Sequence, residues 1–150
     1  MRNYWLYFLF FAIVVIFFGI AYISVNKTDL SIDTVDSPTL ATWDPSGSDA
    51  FADASAGKGT LSISANCVLL IRNQKSILLV WPEPTFWNES SQVIVFVDPD
   101  GGRRIELRNG DQIIPGGAGA SRKSKFVSPP DPLCKADNIF IVSSLGLVAD

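Results

Sequence analysis

Residues 61–81 read LSISANCVLLIRNQKSILLVW, and the fold class is decided within them. Leu61, Ile63 and Ala65 alternate with Ser62, Ser64 and Asn66. A period of two places the apolar set on one face of a strand and leaves the other face wet. Two short apolar runs follow, CVLLI (67–71) and SILLVW (76–81), with Arg72-Asn-Gln-Lys75 between them as a hairpin connection. No helical repeat runs through the stretch.

Further along, QVIVFV (92–97), RIELR (104–108), DQII (111–114) and NIFIVSSL (138–145) are short apolar or alternating runs bounded by Gly, Pro, Asn or Asp. Asp98-Pro-Asp-Gly-Gly102 reads as a turn, and Asn109-Gly110 as a two-residue turn because both positions tolerate positive φ. Residues 59–150 are therefore expected to form an all-β domain, a small barrel or a sandwich. The barrel is favoured, because QVIVFV is apolar on both faces and suits the centre of a sheet that curls. About 92 residues bury a thin core.

The order G-T-L-x-I-x-x-x-C-V from Gly59, L-V-W-P at 79–82, N-G-D-x-I from Asn109, a glycine cluster, a second Cys and F-I-V-S at 140–143 is similar to small uncharacterised bacterial exported or membrane-anchored β domains. The resemblance spans residues 59 to about 144. It implies a fold and carries no activity, cofactor or binding residue.

Working toward the start of the chain, residues 27–58 show neither period and carry six acids against two lysines, with Ser, Thr, Ala and Gly between. They are read as a disordered acidic linker that holds the domain on the order of 30 Å from its attachment. Trp43 and Phe51 are its large aromatics, each able to dock on the domain. Ser55-Ala-Gly-Lys58 matches the S-x-x-K of penicillin-binding enzymes but lacks that fold and its partner motifs, and is read as chance.

Residues 1–26 are apolar, and Tyr4–Ile23, YWLYFLFFAIVVIFFGIAYI, holds no charge over 20 residues. At about 1.5 Å per residue this spans a hydrocarbon core of about 30 Å, which predicts an uncleaved single-pass anchor. A cleaved signal peptide, the alternative, has a shorter apolar core, although Gly19-Ile-Ala21 offers a small-x-small site. Tyr4, Trp5, Tyr7 and Tyr22 suit the two interfaces, and Arg2 favours a cytoplasmic N-terminus with the β domain outside, periplasmic or extracellular.

The formal charge of -3 comes from the linker, since residues 59–150 balance nine cations against nine acids. A neutral body does not gather phosphates, so no nucleic-acid partner is expected. Cys67 and Cys134 are the two cysteines, and outside the cytoplasm a disulfide is the natural reading, with two buried free thiols as the alternative. The chain has no His. No metal and no cofactor are expected, because two Cys alone do not make a zinc site and the usual base at neutral pH is missing.

Asp98 and Asp100 resemble the start of a calcium loop without its later ligands, and Gly116-Gly-Ala-Gly119 resembles a phosphate loop without its helix and Lys-Ser/Thr. Both are read as ordinary turns or loops. Arg122-Lys-Ser-Lys125, with Arg103, Arg104 and Arg108, is a candidate positive patch. Arg104, Glu106 and Arg108 alternate on one face of a strand, as on a charged edge. Asn26 and Asn88 head glycosylation sequons expected to be unused.

LVWPEPTFWNES (79–90) reads as a buried strand end at Trp81 and then a stiff crossing loop, with Pro82 and Pro84 forcing extended backbone. Trp81 plugs the end of the core, with Phe86 or Trp87 beside it. Trp87, Phe86, Arg122, Lys123 and Lys125 are the candidate binding residues, and a protein or envelope polymer is the expected partner. The expected function is binding or envelope assembly without catalysis. A structural subunit of a membrane complex is the alternative, and a small hydrolytic enzyme the less favoured one. With residues 4–23 as anchor, protease added outside intact cells or spheroplasts is expected to release the β domain. Protection until lysis would reverse the orientation.

Overall fold

The computed structural model describes residues 37–47 and 54–148. The expected anchor at 4–23, Asn26 and Phe51 lie outside them. In chain order the strands are β1 (Ala41–Trp43), β2 (Ala54–Ser55), β3 (Gly59–Ser64), β4 (Cys67–Arg72), β5 (Lys75–Pro82), β6 (Phe86–Asn88), β7 (Val93–Val97), β8 (Arg104–Leu107), β9 (Gln112–Ala120) and β10 (Asn138–Leu147). The described chain is all-β apart from a short 3-10 turn at Pro45–Gly47. Among the described residues no helix is long and apolar enough to cross a membrane.

The alternation in LSIS is realised: Leu61 and Ile63 are buried and Ser64 is exposed. β3 pairs antiparallel with β4, Leu61 opposite Leu70 and Ile63 opposite Val68. β4 then turns into β5 through Asn73 and Gln74, at φ 49° and 63°. Two successive left-handed residues give the turn whose twist matches the flanking strands, and Arg72 faces Lys75 across it.

From Leu78 to Pro82, β5 is buried, and it is paired on both edges. β4 and then β1 run along one edge, β4 opposite residues 75–78 and β1, parallel, opposite 80–82. β10 runs parallel along the other, with Leu79 beside Phe140. β10 pairs antiparallel with β9, and β9 returns to β3 at Gly59↔Ile113 and Thr60↔Gln112. The pairings thus come back to β3, but Ala56, Gly57 and Lys58 separate β2 from β3, and the sheet curls without closing into a clear barrel.

The second sheet has the order β6-β7-β8. β7 is central, as its two apolar faces require, and Val93 to Phe96 are buried, but it is central in the small sheet. Trp87, Ile94, Phe96, Ile105 and Leu107 form one core cluster with Leu61, Leu79, Trp81 and Phe140 of the large sheet. Each sheet covers the other. Arg104 and Glu106 face outward while Ile105 and Leu107 face the core, the alternation expected of RIELR.

Two segments depart from the sequence reading, and a third, the expected turn at Asn109-Gly110, joins two sheets. The stretch after Trp81 is not a plain crossing loop, because Phe86–Asn88 pairs with Val93–Val95 as β6. Asn109-Gly110 turns the chain from one sheet to the other, with Asn109 Oδ1 accepting the Ile63 N–H at 2.8 Å and Gly110 N–H donating to the Leu61 carbonyl at 2.8 Å. The glycine cluster lies within β9. Gly117 has φ 149°, and a Cβ there would strike the Ile141 carbonyl, while one at Gly116 would strike Ser144. The glycines let β9 approach β10 closely where the register shifts between Val142 and Ser144.

Part of the span read as linker also belongs to the sheet. Ala41–Trp43 is strand β1 and Ala54–Ser55 is β2. Trp43 is buried beside Ala41, Val80 and Ile141, and its Nε1 donates to the Val142 carbonyl at 3.0 Å. Backbone pairing along a strand edge needs no long apolar run, so three residues inside an acidic span suffice.

Cys67 and Cys134 form the expected disulfide, with Cα atoms 5.2 Å apart and a sequence separation of 67. It fastens the start of β4 to the loop that precedes β10. Closing a loop of that length contributes about 4 kcal/mol in the chain-entropy model. Cys67→Ser is expected to lower stability by about 2 to 5 kcal/mol in denaturant unfolding. Equal stability of the variant would contradict this.

Candidate binding groove

The parallel pairing of β5 with β10 sets Ile77 beside Asn138, and the antiparallel pairing of β10 with β9 sets Ile139 and Phe140 beside Ala120 and Gly119. A groove of about 650 Å³ opens over these residues. Ala56, Ile77, Ile139 and Phe140 give it apolar surface. Ser55, Ser121, Ser124 and Asn138 supply polar groups.

Local turns position the hydroxyls. Beyond β9 the chain folds back at once, with Ser124 N–H donating to the Ser121 carbonyl at 3.0 Å and Ser121 N–H to Ser124 Oγ at 3.2 Å. Ser121 Oγ in turn accepts the Lys123 N–H at 3.3 Å. On the β2 side, Ser55 Oγ accepts the Gly57 N–H at 3.0 Å. Each of these hydroxyls accepts from the backbone; Ser55 Oγ also donates to the Pro115 carbonyl at 3.5 Å, while Ser121 and Ser124 offer their protons to a ligand.

No carboxylate, amine or thiol lines the groove. Its chemistry is hydrogen bonding over an apolar surface, without a group to move a proton near neutral pH. Among the described residues no three side chains of metal-ligating type gather. Asp98 and Asp100 sit in a turn, where Gly102 N–H donates to the Asp98 carbonyl at 2.8 Å and Asp100 N–H to Asp98 Oδ1 at 3.0 Å.

The loop beside the groove, residues 121–137, has no strand or helix and is held from several sides. Arg122 Nη2 donates to the Cys134 carbonyl, at the disulfide. Thr42 N–H donates to the Ser128 carbonyl, and Val127 N–H to the Thr42 carbonyl, each at 2.9 Å. Asp137 closes the loop on β5: its Oδ2 accepts the Ser76 N–H at 2.7 Å and the Ser76 hydroxyl at 3.0 Å. These bonds, the backbone one first, hold the Asp137 carboxyl below the ordinary aspartate range, against a smaller opposing effect of burial.

The candidate residues from the sequence fall in different places. Phe86 and Trp87 are adjacent on β6 and so point to opposite faces. Phe86 is 44% exposed, whereas Trp87 is half-buried against the core. Arg122 is engaged with Cys134, and Lys123 and Lys125 are exposed. Arg103 donates to the Leu145 carbonyl at 3.2 Å and Arg108 to the Ser91 carbonyl at 3.2 Å, with Glu106 3.9 Å from Arg108. The basic residues are thus tied to separate parts of the surface.

Ser55, Gly119, Ser121, Ser124 and Asn138 carry no sequence signal as a group, because they come from three distant segments. No protein-family model, curated protein or solved structure matches the chain.

On β6, Phe86→Ala is expected to change stability by less than about 1 kcal/mol and Trp87→Ala to cost on the order of 3 kcal/mol. Equal losses in denaturant unfolding would contradict the alternation. Asp137 is deprotonated more readily folded than unfolded, so its contribution is present above the unfolded pKa and lost as pH falls through the lower folded value. Its carboxyl carbon, followed by NMR, is expected to titrate below the ordinary aspartate value and to move back toward it in Ser76→Ala. A midpoint unaffected by Ser76→Ala would refute the assignment.

Proposed function

We propose that this chain is a membrane-tethered, extracytoplasmic binding or envelope-assembly module without catalysis of its own. The anchor is residues 4–23, and the ring of strands β3, β4, β5, β10 and β9 is read as a small barrel. The groove beside β9 and β10 takes the ligand. One observation carries the reading: a groove of about 650 Å³ with hydroxyl, amide and apolar surface and no titratable side chain among its lining residues. Such a lining suits an extended peptide or a short envelope glycan, which present alternating polar and apolar surface. The Cys67–Cys134 disulfide agrees with an oxidising compartment. The fold itself names no ligand, so the groove alone bears the functional argument.

Gly119 permits a selective test, because a Cβ built there meets nothing within 4 Å. Gly119→Phe is expected to fill the groove with less than about 1 kcal/mol change in stability. Partners crosslinked to the wild-type chain in intact cells should then be lost from Gly119→Phe and kept by Phe86→Ala. Retention of every partner by a folded Gly119→Phe variant would place the binding surface elsewhere.

A further inference from the structure

We propose that the loop from Arg122 to Lys135 is a docking surface for the anionic headgroups of the membrane that holds the chain, resting on the reading of residues 4–23 as its anchor. Charge is the first observation. This stretch carries Arg122, Lys123, Lys125 and Lys135 against the single acid Asp131, four of the nine cations of residues 59–150, whose remainder holds five cations against eight acids. Arg122 is occupied by the Cys134 carbonyl. Lys123, Lys125 and Lys135 are exposed and have no ion pair among the described residues.

The second observation is apolar exposure in the same stretch. Leu133 is 72% and Val127 51% exposed, and Pro129 and Pro132 beside them are exposed too. Aliphatic side chains among unpaired lysines match an interfacial surface, where the apolar groups enter the headgroup layer and the cations meet phosphate.

Construction and reach agree. The Arg122–Cys134 bond, the disulfide and the backbone bonds to Thr42 fix the loop before any contact, so little ordering is required on docking. Thirteen residues lie between Ile23 and Ser37, a reach of about 50 Å at full extension. Thr42, five residues further on, is the residue that bonds Val127 and Ser128. A tether of that length allows this loop to reach the bilayer.

The test uses the full chain reconstituted in vesicles of phosphatidylcholine alone or with about one lipid in three as phosphatidylglycerol. A water-soluble amine-acylating reagent, read by mass spectrometry, reports Lys123, Lys125 and Lys135. Labelling of these lysines is expected to fall about threefold on the anionic vesicles and to recover in high salt, which screens headgroup charge. It is also expected to recover in the double variant Val127→Asp, Leu133→Asp. Labelling that is equal on the two vesicle types overturns the proposal, as does protection that persists in the double variant. Protection that depends on protein density and not on lipid charge overturns it in favour of contact between copies. Flotation with neutral vesicles reports the anchor separately: a chain that stays in solution there removes the anchor reading, while labelling with anionic vesicles still reads the loop.

Discussion

The indole of Trp81, wholly buried and met edge-on by Phe96 with ring centroids 6.1 Å apart, is where the two sheets become one structure. Trp81 stands near the end of β5, the strand that β4, β1 and β10 all pair with, and Phe96 stands on the central strand of the small sheet. Among the described residues no α-helix is present to cover the apolar face of either sheet, so each covers the other. The Trp81 Nε1 has no hydrogen-bond partner among the described residues. That desolvation costs on the order of 1 to 3 kcal/mol, which burial of a ring this large offsets.

From that shared core the remaining features follow in order. β5 and β10 lie parallel, so a long connection must carry the chain from one to the other, and it does so through the small sheet and β9. The last part of that connection, residues 121–137, has no ladder of its own. The disulfide, Arg122 and the Asp137–Ser76 bonds take the place of one. A loop held in this way can form one wall of a groove on one side and present lysines, Leu133 and Val127 to its surroundings on the other.

Most of the large sheet was legible because its strands announce themselves. Alternation in LSIS and the apolar runs before and after Asn73-Gln74 are local signals, and the structure matches each of them; the disulfide followed from there being just two cysteines to pair. Trp81 was legible for the same reason, since it continues a buried run. β1 and β6 were not, because a three-residue strand has too few side chains to show a period and exists by pairing with a neighbour distant in sequence. The glycines of β9 misled for a related reason: in sequence they look like a loop, yet their purpose is a close approach to β10 that only the tertiary pairing reveals. The groove was the least legible feature, since Ser55, Ser121 and Asn138 meet only after β2, β9 and β10 have paired.

The claim that the two sheets share one core around Trp81 is tested most directly by amide hydrogen exchange on Trp81→Ala in the full chain. The account predicts that protection falls together in β7 of the small sheet and in β5 and β10 of the large one, with a loss of about 3 to 5 kcal/mol in the opening free energy of each. Loss confined to β5 and its neighbours, with β7 as protected as before, would contradict it and make the small sheet an independent unit.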